Sequence, residues 1–343
     1  PSQKERIAAL RAALGPDLTI MGHHYQHESV IRHTDLRGDS LELARRVSST
    51  DAASIVFCGV YFMAESAALL ARPGQKVYLP EHSANCVMAQ MAPAERVDAV
   101  LRALQADGRK VVPLAYVNTS LAVKAVVGRH GGAVCTSANA RTMLEWTRKQ
   151  GDAVLFLPDK NLAVNTAQAL GLSPDQRHAL DIRGSGRRLD LEAARRADLL
   201  LWPGCCSIHH QMTARHVQAA RAAHPGCLLA VHPECPPGTV AAADAAGSTS
   251  FLIRFCQEAP EGSTLVIGTE AALVDRLAKE YAGRKTVLPL RPVRCANMAK
   301  TTPEGLAALL DRLDRTAPVR VDPRTTEDAN LALRRMLEAC AAP

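Results

Sequence analysis

Aromatic residues make up only 3% of this 343-residue chain, so it has little with which to stack nucleic-acid bases. No apolar run approaches the roughly 20 residues of a membrane-spanning helix. There are ten cysteines but no C-x-x-C, which excludes zinc ribbons and thioredoxin-type motifs. The formal charge is +7, yet the arginines are spread along helical segments, with no basic block or tail and no helix-turn-helix pattern. Nucleic-acid and membrane partners are therefore not expected. The opening "PSQKERIAALRAALG" carries charges throughout and lacks a signal peptide's apolar core. The expectation is a cytoplasmic protein whose cysteines stay reduced, most of them as inert core thiols. What remains is an ordinary globular composition, 47% hydrophobic and 22% charged. It is long enough for two or three cores and mildly attractive to small anions.

Short apolar strands alternate with helix-period segments along the whole chain, and the order repeats three times. The first copy runs from "LTIMGHHYQ" through "ASIVFCGV" to "KVYLPEHSANC". The second runs from "VVPLAYVN" through "AVLFLPDK" to "ADLLLWPGCC". The third runs from "CLLAVHPE" through "STLVIGTE" to "KTVLPLRPVRC". Each first strand ends in an aromatic or histidine, any residue, and a polar group: His23-x-Tyr25, Tyr116-x-Asn118 and His232-x-Glu234. Hydroxyls follow at Ser40, at Ser137 and at Ser248 with Thr249, and each copy closes on a cysteine: Cys86, Cys206 and Cys295. Tyr25 to Cys86 and Glu234 to Cys295 are both 61 positions; the middle copy is longer because of an arginine-rich segment around "RGSGRRLD". The expected fold is α/β: three pseudo-symmetric three-layer α/β/α units with short parallel sheets around a central site. The boundaries are 1–106, 107–222 and 223–310, with a C-terminal helical extension over 311–343.

Ligand groups gather beyond the carboxyl ends of parallel strands, where all these landmarks fall, so the last strand of each copy is expected to stop at its cysteine. Three units meeting with those ends inward would bring Cys86, Cys206 and Cys295 to one centre. Zinc on three cysteines would add a fourth ligand, with His209 available three residues after Cys206. A four-iron, four-sulfur cluster would instead leave one iron open as a Lewis acid. Burial as core filler is the plainer alternative for all three cysteines. Ser40, Asn118, Ser137 and Thr249, at strand–helix junctions, can grip a carboxylate or phosphate, or simply cap helices. Glu234, inside the proline-stiffened "HPECPP", is the candidate general base, and His23, Tyr25, Tyr116 and His232 are candidates to relay protons. His24 should face the other side of its strand as a structural residue.

In order, "HHYQ", "GDSLELAR", "VFCGVYFMAES", "YVNTS", "CTSANA", "FLPDKNL", "WPGCCSIH", "VHPECPP", "GSTS", "IGTE" and "CANM" resemble the quinolinate synthases over about residues 18–310. The resemblance implies a 4Fe-4S cluster on Cys86, Cys206 and Cys295. It implies condensation of iminoaspartate with dihydroxyacetone phosphate to quinolinate, phosphate and water in NAD biosynthesis. It further implies substrate binding by His23, Ser40, Tyr116, Val117, Asn118, Ser137, His232, Pro233, Glu234, Ser248 and Thr249, with Tyr25 as the active-site tyrosine. An iminoaspartate-producing aspartate oxidase is the functional partner it suggests. Cys205 stands where the family commonly has an aromatic residue. Cys206 is preferred as the ligand because it lies three residues before a histidine. Ala296 and Ala299 replace a usual proline and a usual basic residue. Another hydro-lyase with an open cluster iron, or a non-enzymatic iron–sulfur or zinc sensor, are the competing readings.

Overall fold

The computed structural model describes residues 2–184 and 188–341; the centre of the arginine-rich segment, 185–187, lies outside the described residues. Three short parallel sheets follow one another along the chain. The first contains β1 (Leu18–His23), β2 (Leu36–Gly38), β3 (Ser54–Cys58) and β4 (Lys76–Tyr78), in the order β2-β1-β3-β4. The second contains β5 (Val111–Tyr116), β6 (Ala133–Cys135), β7 (Ala153–Leu157), β8 (Arg177–Ala179) and β9 (Leu199–Leu201), in the order β6-β5-β7-β9-β8. The third contains β10 (Leu228–Val231), β11 (Ala245–Ala246), β12 (Thr264–Gly268) and β13 (Thr286–Pro289), in the order β11-β10-β12-β13. Strands such as "VVPLAY" and "AVLFL" are buried at every position, as parallel strands covered by helices on both faces must be.

The same order recurs in all three sheets once β8 is set aside as an added edge strand. In each, the first strand is internal and its successors diverge to opposite sides. That divergence opens a crevice at the first strand's carboxyl end, the place where α/β sheets bind ligands. The pseudo-threefold repetition expected from the sequence is thus present, and β8 occupies part of the longer middle copy.

One expectation is corrected. The closing strands do not reach the cysteines: β4 ends at Tyr78, β9 at Leu201 and β13 at Pro289, so Cys86, Cys206 and Cys295 sit in the loops beyond. Proline is the reason. Pro80, Pro203, Pro289 and Pro292 cannot donate a ladder hydrogen bond, and each sheet ends where its prolines begin.

The chain divides into two compact units, neither contiguous in sequence. One comprises Pro1–Cys86, His216–Ala230 and Ser248–Val321; the other comprises Val87–Arg215, Val231–Gly247 and Asp322–Pro343. In the first unit, Ile7 from helix Gln3–Leu14 and Leu306 and Leu310 from helix Pro303–Leu310 share a core with Ile20 and Val56 of the sheet. In the second unit, helix Pro323–Ala339 lies on helix Leu121–Arg129 and on β6. Gly128 permits that approach: a Cβ there would fall 1.9 Å from the Asp328 carbonyl oxygen. Among the described residues no helix is long and apolar enough to cross a membrane.

Candidate active site

Each cysteine loop is tied to the helix that follows the third strand of its repeat, and the tie is the same in all three. The first residue of that helix donates its backbone N–H to the carbonyl two residues before the cysteine. Tyr61 donates to Ala84 at 2.8 Å, Lys160 to Gly204 at 2.8 Å, and Ala271 to Val293 at 3.0 Å. Counting two onward gives Cys86, Cys206 and Cys295. This register makes Cys206, and not Cys205, the equivalent of the other two. Gly204 is required at its place, because a Cβ would sit 2.5 Å from the Pro158 carbonyl oxygen.

In the second unit the loop after β10 carries His232, Pro233 and Glu234, and Glu234 is buried among partners. His209 Nδ1 lies 2.6 Å from Glu234 Oε2, and the His209 and His232 rings stack at 4.4 Å. The Tyr116 hydroxyl also hydrogen-bonds Glu234. His232 Nδ1 accepts the backbone N–H of Glu234 at 3.4 Å, which leaves the ring proton of neutral His232 on Nε2. Burial and the neighbouring His209 push the His232 pKa down to about 3. Burial alone would raise the Glu234 carboxyl; His209, His232 and the Tyr116 hydroxyl outweigh it and hold Glu234 below the usual carboxylate range. Asp159, fully buried nearby, is pushed well above that range by burial and by the Glu234 charge, against the pull of backbone N–H donors. Two carboxyls in one buried site therefore differ in proton affinity, with Glu234 held ionised and Asp159 favouring its proton.

Several supporting residues escaped the sequence reading. Asn165 donates from Nδ2 to the carbonyls of Pro233 at 2.7 Å and Cys235 at 2.8 Å, and Asn161 donates to the Glu234 carbonyl at 3.2 Å. Helix Lys160–Ala169 thus clamps the backbone that presents Glu234. Lys124, fully buried, donates to the carbonyls of Val117 at 2.9 Å and Thr119 and braces the loop bearing Asn118. The sequence signal for Lys124 was a single cation inside the apolar helix "LAVKAVV"; the asparagines gave none.

Strand register places the polar landmarks in pairs. Tyr116 is level with Cys135 and His23 with Gly38. Asn118 and Ser137 therefore follow adjacent strand ends at equal distance, as do Tyr25 and Ser40. The next residue locks both pairs alike: Val117 N–H donates to the Cys135 carbonyl and His24 N–H to the Gly38 carbonyl.

In the first unit, Tyr25 N–H donates to His23 Nδ1 at 3.1 Å, matching the Glu234–His232 contact, and the Tyr25 hydroxyl shares a 2.7 Å hydrogen bond with Thr269. His24 is partly buried, with Nε2 3.8 Å from a Glu42 carboxylate oxygen. Ser40 and Thr249 are not helix caps: Asp39 and Ser248 hold those positions, and Ser40 and Thr249 are the first helical residues. The Ser250 hydroxyl bridges Asp39 at 3.1 Å and Glu42 at 2.9 Å, so the two helix N-termini meet. The buried Thr249 hydroxyl has no hydrogen-bond partner among the described residues.

Five of the ten thiols are buried and five are partly buried. Burial pushes Cys58 and Cys256 up to about 12 and raises Cys135 and Cys235 as well, which makes them inert. Cys86, Cys206 and Cys295 are only partly buried. Cys205 and Cys340 are partly buried too, and burial raises the Cys205 thiol. Cys206, His209 and Glu234 bring ligand atoms within 4.8 Å of one another, so this corner of the second unit has a donor set suited to a metal. Its sulfur fits iron as well as zinc.

A family model described as quinolinate synthetase A protein matches residues 5–338. The chain is 42% identical over 346 residues to the quinolinate synthase of Acidobacterium capsulatum, covering 98% of this chain and 93% of that protein. It is 42% identical to the quinolinate synthase of Herpetosiphon aurantiacus, covering 97% and 92%. It is also 42% identical to that of Corynebacterium glutamicum, covering 98% and 87%. With similarity sustained from end to end at this level, the chain belongs to the quinolinate synthetase A protein family.

Proposed function

We propose that this enzyme condenses iminoaspartate with dihydroxyacetone phosphate to give quinolinate, phosphate and water, and that Cys86, Cys206 and Cys295 hold a 4Fe-4S cluster. The observation that carries the cluster assignment is the shared backbone tie that selects these three cysteines out of ten. Such a cluster, with three protein thiolates, supplies an open iron able to polarise a substrate oxygen as a Lewis acid.

The chain's own residues have distinct tasks in this reading. Glu234 takes protons during isomerisation and ring closure, and His209 and His232 fix its orientation. Tyr116 donates to Glu234, and Tyr25, positioned by Thr269, serves as a second proton-handling hydroxyl. Ser40, Ser248 and Thr249 offer hydroxyls and helix N-terminal N–H groups to substrate carboxylates or phosphate. Asn118, Ser137, Val117 and Pro233 line the strand ends, and His23 orients Tyr25. Functional coupling to an iminoaspartate-producing oxidase follows from the substrate.

The test is an anaerobic assay of purified protein with both substrates, read as quinolinate, alongside iron, sulfide and zinc per chain. Product that depends on both substrates, with about four irons and four sulfides, is the expected result. Product-free turnover of a hydroxy acid would favour a hydro-lyase. One zinc and no turnover would favour a sensor built on Cys206, His209 and Glu234.

A further inference from the structure

The helix that ties each cysteine loop is preceded by a cap residue, and these caps differ among the repeats: Val60, Asp159 and Glu270. Val60 makes no side-chain cap hydrogen bond. The two carboxylates each divide their oxygens in the same way. Asp159 Oδ1 accepts the Leu162 N–H at 2.8 Å, and Oδ2 accepts the N–H of Cys206 at 3.1 Å. Glu270 Oε2 accepts the Ala272 N–H at 2.6 Å, and Oε1 accepts the N–H of Cys295 at 3.0 Å. Both side chains are buried.

Capping alone does not require this. Ser120, Ser248 and Thr302 cap their helices with hydroxyls, without the cost of burying a carboxyl group. Two side chains of different length reach the peptide N–H of the one cysteine that the repeat register selects. Neither reaches Cys205. A hydrogen bond to a buried carboxyl oxygen adds to the backbone ties of each loop and fixes the peptide of the cysteine itself.

We infer that Asp159 and Glu270 are positioning residues that preset Cys206 and Cys295 for metal capture, through a side-chain contact that Val60 does not make at the matching place in the first repeat. This rests on those three cysteines being the cluster ligands. It goes beyond that reading in giving a role to two residues that are not themselves ligands. The consequence is kinetic: Cys206 and Cys295 would already stand in place when iron arrives.

The experiment compares wild type with D159A, D159N, E270A, E270Q and V60A, each reconstituted anaerobically with ferrous iron and sulfide. The readouts are iron and sulfide per chain, the visible absorption of the cluster, and its rate of loss to an excess iron chelator. Circular dichroism of each apoprotein checks folding, and the Asn and Gln variants serve where an Ala variant does not fold. Expected for D159A and E270A is chelator loss about fivefold faster or more, the scale of losing a buried hydrogen bond, with D159N and E270Q between them and wild type. V60A should match wild type. Loss rates for all the folded Asp159 and Glu270 variants within twofold of wild type would overturn the inference. C206S and C295S, run in parallel, test the underlying reading separately: if they retain wild-type iron, the ligand assignment itself has failed.

Discussion

At Cys205 and Cys206, one peptide step separates two chemically identical side chains, and geometry chooses between them. The backbone bond from Lys160 to Gly204 and the bond from Cys206 N–H to Asp159 both count toward Cys206. Cys206→Ser should therefore abolish cluster assembly and Cys205→Ser should spare it, measured as iron and sulfide per chain after anaerobic reconstitution. Equal loading in the two variants would refute the choice. Glu234→Gln keeps the shape of the site but removes the base; kcat should fall about 10²–10⁴-fold with the circular dichroism unchanged. An activity loss under tenfold would move the base elsewhere. The cysteines, His232 and Glu234 were legible because repeat spacing and the proline-stiffened loop mark them. Asp159, Asn161 and Asn165 were not, since each reads locally as an ordinary helix cap or a helical amide. Asn165 meets Pro233 across 68 positions, and no local pattern encodes such a contact.

Among the elements, the strands were easy to read and their ends were not. Runs such as "VVPLAY" announce buried parallel strands, but the loops that carry the cysteines begin where proline stops the ladder. Helix starts carry a second lesson. Ser40 looks like a cap in sequence, yet Asp39 takes that role and forms a capping box with Glu42. The neighbouring His24 imidazole, together with hydrogen bonds from Asp39 N–H and Ser250, holds the Glu42 carboxyl down to about 2 against the opposing effect of burial. The unfolded chain binds a proton near the ordinary value of 4.5, so the folded state gains stability from Glu42 above that pH. That gain is lost as pH falls from about 4.5 to about 2. Glu42 is roughly half exposed, so solvent screening keeps the amplitude well below the full linkage value. Melting curves of wild type and Glu42→Gln should differ at neutral pH and converge across that window. A gap that stays constant down to pH 2 would show that Glu42 does not titrate this way.

At the scale of the whole chain, the sequence shows three repeats plus a tail, whereas compactness groups the described residues into two units. The tail is the reason the second unit does not end with its repeat. Helix Pro323–Ala339 buries Ala329, Ala332, Leu333 and Met336, and Arg335 donates to the carbonyls of Gly128 at 3.1 Å and Gly132 at 2.7 Å. Helix Leu121–Arg129, which it covers, also carries Lys124, the brace of the Asn118 loop. The tail therefore supports the floor beneath the loop bearing Asn118, a role that a helix outside the repeats does not reveal in sequence. Gly128→Ala tests it. The added methyl has no room beside the Asp328 backbone, so the C-terminal helix must shift or detach. Overpacking of this kind costs roughly 1–3 kcal/mol or more. The expected outcome is a lower melting temperature and faster hydrogen exchange over residues 323–339 and 117–129 together, with iron content preserved. Exchange that rises in the tail but stays at wild-type rates over 117–129 would mean that the helix is only an appendage.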